Sequence, residues 1–80
     1  MKEEAIFATV CQAINAHFGV PTDRITRDTV AADIAGWDSV NHAVLLMELE
    51  GLLGTELPVT ELFDVTNVGE LCAGIMRVTP

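Results

Sequence analysis

Basic side chains are nearly missing from this sequence. Its 80 residues hold four, Lys2, Arg24, Arg27 and Arg77, against twelve acids, for a formal net charge of −8. None lies between Arg27 and Arg77, an interval that carries nine acids from Asp28 to Glu70. Such a surface repels phosphate backbones and argues against nucleic acid as a partner. It attracts basic patches on other proteins and speeds encounter with them. Long apolar runs are missing too. The longest, Ala43 to Met47, is far short of a membrane span, and the acidic N-terminus Met1-Lys2-Glu3-Glu4 leads into no long apolar stretch. A cytoplasmic protein with no membrane partner is expected. Only two cysteines occur, Cys11 and Cys72, in separate apolar patterns, and they read as buried free thiols. With His17 and His42 they are the only soft ligands, and no pair shows a metal-ligand spacing, so no metal site is expected.

What is present is apolar periodicity. Half the residues are hydrophobic, enough for one compact domain spanning 1–80. A chain of this length buries only about 60–65% of the surface that its unfolded form exposes. From Lys2 to about Phe18, the residues Phe7, Val10, Cys11, Ile14 and Phe18 recur at helical spacing with Ile6 beside them. Gly19 and Pro21 then end that helix. Residues 20–37 form a long connection without sustained period, which Ile25 and Ile34 should pin onto the helices, with a short helical turn near Val30 to Asp33. Asp38 is a suitable N-cap for a second helix running to about Leu53, ended by Gly54. This helix carries too many apolar residues for one stripe. Some of Val44, Leu45 and Met47 must therefore face solvent or a partner. After Pro58 a short helix is expected at Thr60 to Val65, with Thr60 as its cap. A last helix opens on Asn67-Val68-Gly69-Glu70, which has the form of a capping box, and ends near Arg77. No run alternates with period two, and there are no repeats. The fold class is all-α: a four-helix bundle with three longer helices, one short helix and a long first loop.

Chemistry concentrates at Gly36-Trp37-Asp38-Ser39-Val40-Asn41-His42. Asp38, Ser39 and His42 supply the residue types of a hydrolytic triad, but Ser39 and His42 are i,i+3 neighbours on an exposed helix start, with nothing nearby to build an oxyanion hole. No catalytic residue is expected, and the chain reads as a non-enzyme. Ser39 instead takes the first helical position, where the helix dipole and free N–H groups favour an anion. It is a candidate attachment point that a transferase can reach without unfolding the protein.

Gly36-Trp37-Asp38-Ser39-Val40, followed by Leu45-Leu46-Met47-Glu48-Leu49-Glu50, resembles the acyl carrier protein family, with its Gly-x-Asp-Ser-Leu motif and apolar helix ending in Leu-Glu. The resemblance extends over nearly the whole chain, through Leu57-Pro58, Leu62-Phe63 and Thr66-Asn67-Val68. It implies a 4′-phosphopantetheine arm, taken from coenzyme A, on Ser39, with acyl groups held as thioesters and delivered to separate enzymes. It also implies partners: a phosphopantetheinyl transferase, and acyl-loading and acyl-processing synthases, ligases and transferases. They would dock on Asp38, Val40, Asn41, Val44, Met47 and Glu48 of a monomeric carrier. Val40 replaces the family's usual leucine. Asn41, Val44 and Gly51 stand where fatty-acid carriers commonly have acids, whereas Glu48 and Glu50 remain. Trp37 and His42 are more like freestanding carriers of polyketide-type pathways, so a polyketide or fatty-acid-type role is expected. The alternatives are a peptidyl carrier and an arm-less interaction module.

Overall fold

The computed structural model describes residues 2–79. Three α-helices make up its regular structure: α1 (Glu3–Phe18), α2 (Ser39–Leu53) and α3 (Val68–Val78). Single 3₁₀ turns occupy Thr22–Arg24 and Ala31–Asp33, the second where the sequence places a helical turn. No strand forms among the described residues. Helix α1 packs against both α2 and α3.

The caps follow the sequence closely. Gly19 and Gly54 both adopt the left-handed conformation that closes a helix with little steric penalty, their N–H groups bonding Asn15 O and Glu50 O. Asp38 accepts the N–H of Asn41 at 2.9 Å, and Asn67 accepts that of Glu70 at 2.8 Å. The Glu70 side chain reaches back to the N–H of Thr66, one residue earlier than a standard capping box.

One core joins the elements. It takes Ile6, Val10, Cys11 and Ile14 from α1, Leu45, Leu46 and Leu49 from α2, and Val68, Leu71, Cys72 and Ile75 from α3. Ile25 and Ile34 pin the long loop to it as expected. Phe7 is half-buried, packing against this core with part of its ring and meeting Arg27 with the rest. The Arg27 guanidinium lies 4.2 Å from its ring centroid and grips Glu3 through two bonds, of 2.9 and 2.6 Å. The same loop caps α3 from outside, because Thr29 O and Arg27 O accept the N–H groups of Val68 and Gly69 at 2.9 and 2.8 Å. A Cβ at position 69 would stand 3.0 Å from Arg27 O, so the close approach favours glycine there.

The expected short helix at Thr60 to Val65 does not form, and the segment is a series of turns. Pro58 O accepts from both Glu61 and Leu62, but helical bonding stops there. The Leu62 carbonyl is taken by the His42 ring at 2.9 Å, and the Thr66 N–H that would bond it in a helix is taken by Glu70. Side chains thus claim both ends of the missing bond.

Candidate functional site

The loop ahead of α2 turns at Gly36, whose positive φ suits a residue without Cβ. Gly36 O then accepts the side-chain amide of Asn41 at 2.9 Å, and Asp38 Oδ1 accepts that same amide at 3.1 Å. Asn41 Oδ1 lies 3.2 Å from His17 Nε2, so one asparagine ties the start of α2 to the end of α1. Asn41 is consequently half-buried, with both ends of its amide engaged.

Ser39 follows the cap and is exposed. The first intrahelical bond of α2 is made by the His42 N–H to Asp38 O, so the N–H groups of Ser39 and Val40 lie ahead of it at the positive end of the dipole. Further along, Val40, Val44 and Met47 are 70%, 38% and 64% exposed, and their spacing puts them on one face with Glu48. Leu45, the third residue considered for exposure, is fully buried. Asp38 and Glu48 are exposed at the two ends of this face.

His42 does not lie on an exposed helix start. It is 7% exposed and points inward. Trp37 donates its indole N–H to Nδ1 at 3.0 Å, and Nε2 meets the Leu62 carbonyl at 2.9 Å. The ring lies side by side with Trp37 and nearly parallel to it, centroids 5.9 Å apart, and meets Phe63 edge-on at 5.6 Å, while the other side of the site is closed by Trp37 stacking on Phe18 at 5.2 Å. Both ring nitrogens are occupied, so His42 offers Ser39 no general base. Trp37, His42, Phe63 and Leu71 line a mostly apolar pocket of about 260 Å³ that opens beside Ser39.

The two thiols are free and buried. Burial pushes the Cys72 thiol up to about 12 and raises that of Cys11, so neither presents a thiolate at neutral pH. Among the described residues no group of three His, Cys, Asp or Glu side chains is placed to hold a metal ion. No helix there is long and apolar enough to cross a membrane.

Periodicity could not reveal the inward aim of His42, because a polar residue in a first turn normally faces solvent. For the attachment candidate a plain count was an available signal: Ser39 is the only serine in the chain.

Residues 8–75 match the family described as a phosphopantetheine attachment site. An acyl carrier protein of Lactobacillus johnsonii is 33% identical to this chain over 70 residues, which cover 88% of each protein.

Proposed function

We propose that this chain, which belongs to the phosphopantetheine-attachment family of acyl carrier proteins, bears its arm on Ser39 and carries acyl intermediates of polyketide or fatty-acid-type biosynthesis between partner enzymes. The prosthetic group of the family is 4′-phosphopantetheine, whose terminal thiol holds acyl groups as thioesters when the arm is in place. The observation that carries the assignment to Ser39 is the exposure of the chain's sole serine at the head of α2, inside the matched span.

The surrounding residues fit such a group. Asp38 starts the helix and Asn41 locks its entry, so the Ser39 hydroxyl sits on a fixed turn. The N–H groups of Ser39 and Val40 and the helix dipole favour a phosphodiester anion there. An apolar pocket adjoins the serine. Val40, Val44 and Met47 supply an apolar docking stripe, with Asp38 and Glu48 available to basic side chains of the transferase and of acyl-handling enzymes. Asn41 supports that face from beneath.

The apolar character of this stripe, with Val44 and Gly51 in place of acids, favours partners of a specialised pathway over strongly basic ones. The carrier acts as a non-catalytic, cytoplasmic monomer, and residues 58–66 take the place of the short helix of a four-helix bundle. Incubating the apo-protein with coenzyme A and a broad-specificity phosphopantetheinyl transferase tests the assignment. Wild type should gain the mass of one phosphopantetheine group and Ser39→Ala should gain none. A gain that survives Ser39→Ala would place the arm elsewhere.

A further inference from the structure

Asn41 is engaged on every side within one turn of Ser39. Gly36 O and the Asp38 carboxylate can only accept, so the side-chain nitrogen of Asn41 faces them, at 2.9 and 3.1 Å. Its two N–H groups have these two acceptors and are closed to any other. The amide oxygen therefore faces His17, and the Nε2 that meets it at 3.2 Å must carry the ring proton. His17 sets its ring edge-on to Phe18 at 4.7 Å, and Phe18 stacks on Trp37 at 5.2 Å. The chain on both flanks of Ser39 is thus fastened to the end of α1, at Trp37 through Phe18 and at Asn41 through His17.

Helix α2 does not need this side chain in order to start. The cap bond runs from the backbone N–H of Asn41 to Asp38 Oδ1 at 2.9 Å, and any residue but proline keeps it. What the amide adds is a hold on Gly36, two residues ahead of the cap, and on α1. An aspartate of the same shape lacks both N–H groups. It would set a carboxylate oxygen where the nitrogen now stands, 3.1 Å from Asp38 Oδ1.

We propose that Asn41 is a positioning residue for the transfer onto Ser39: its side chain fixes the direction of the hydroxyl from beneath, without touching the incoming enzyme. The proposal rests on Ser39 bearing the arm. In that transfer Ser39 Oγ bonds the pantetheine-side phosphorus of coenzyme A as the pyrophosphate P–O bond breaks. Adenosine 3′,5′-bisphosphate leaves, and the hydroxyl proton passes to a base of the transferase. The attacking oxygen has to lie in line with the bond that breaks, and a misplacement of about 1 Å costs on the order of 100-fold in rate. A serine on a loose turn can dock and still miss that line.

Single turnovers of the whole protein, with a broad-specificity phosphopantetheinyl transferase in excess, separate the saturated rate from affinity. Asn41→Ala and Asn41→Asp should each slow the saturated rate about tenfold or more, while the half-saturating transferase concentration rises no more than about twofold. His17→Phe, which leaves both Asn41 N–H bonds, should slow it less, and His17→Gln, which restores a donor, should recover part of that loss. Leu46→Ala, a core change two turns along α2, should leave the saturated rate unchanged, which separates positioning from lost stability. All variants are compared below their unfolding temperatures, with circular dichroism of the same samples. An unchanged saturated rate in both Asn41 variants, a loss confined to affinity, or an equal fall in Leu46→Ala overturns the proposal. The apo wild type gives a reading that does not depend on the arm. Both side-chain amide protons of Asn41 should exchange with solvent more slowly than those of exposed Gln12, and equal exchange overturns the clamp whatever Ser39 carries. A wild type that gains no phosphopantetheine at Ser39 overturns the attachment assignment and the proposal with it, and the mass of the product distinguishes this from the other failures.

Discussion

Leu62 reaches the bare backbone of Gly74 so closely that a Cβ at position 74 would stand 2.6 Å from Leu62 Cδ2. The 58–66 segment is not helical, yet its leucine is 1% exposed and seated on α3 through this contact. Glycine inside a helix costs about 1 kcal/mol relative to alanine. Forcing a methyl into a packed core costs about 1–3 kcal/mol. Gly74→Ala should therefore destabilise the protein by about 1 kcal/mol net. In a Leu62→Ala background the clash is gone, so the same substitution should become stabilising. Urea unfolding of the four proteins of this cycle checks the change of sign.

Arg27 holds Glu3 below its ordinary carboxylate value, chiefly through their hydrogen bonds. A carboxyl whose folded-state value is depressed contributes stability that is complete above its unfolded value, here about 4.5, and is lost as pH falls through the folded value. Arg27→Ala should lower the unfolding temperature at neutral pH. The gap from wild type should narrow as the pH drops below 4.5. Part of it should persist, because the contact with Phe7 does not need the Glu3 charge. Thermal unfolding from neutral to acid pH measures the gap.

Cys72 gives the opposite dependence. Its thiol moves from 9.0 to about 12 because burial disfavours the thiolate. Above pH 9 the unfolded chain releases this proton first, so stability should fall between pH 9 and 12. Cys72→Ala, less stable at neutral pH through its cavity, should show a shallower decline. Unfolding curves across that range read both effects.

The exposed and buried residues of α2 should separate cleanly. Val44→Lys or Met47→Lys should change stability by no more than about 0.5 kcal/mol, whereas Leu46→Ala should cost about 2–5 kcal/mol. If the stripe is a docking face, the two lysine variants should be poor substrates for a phosphopantetheinyl transferase despite an intact Ser39. Steady-state modification rates with circular dichroism of the same samples test this pairing.

Local rules made much of the architecture legible. Asp38, Asn67, Gly19 and Gly54 mark helix ends because capping is decided within a few residues, and Ile25 and Ile34 identify themselves as pins by being apolar in a polar loop. The short helix near Thr60 failed where the Leu62 carbonyl is taken by His42, twenty residues away, and the matching Thr66 N–H by Glu70, which is committed to the start of α3. Phe7 packs against the core as its helical period indicates, but it also lies under Arg27, a contact that no periodicity encodes. The exposed place of Ser39 at the head of α2 was legible from the Asp38 cap. The pocket beside it was not, because its walls come from Trp37, Phe63 and Leu71, which only the tertiary fold brings together.

The most direct test of the central claim is the location of the arm, read by fragmenting the intact modified protein in a mass spectrometer. After reaction with coenzyme A and transferase, every fragment that contains Ser39 should carry the phosphopantetheine mass, and fragments ending at Asp38 or beginning at Val40 should lack it. A modification mapped to a threonine or to Cys11 or Cys72, or an unmodified chain under conditions that load a control carrier, would contradict the account.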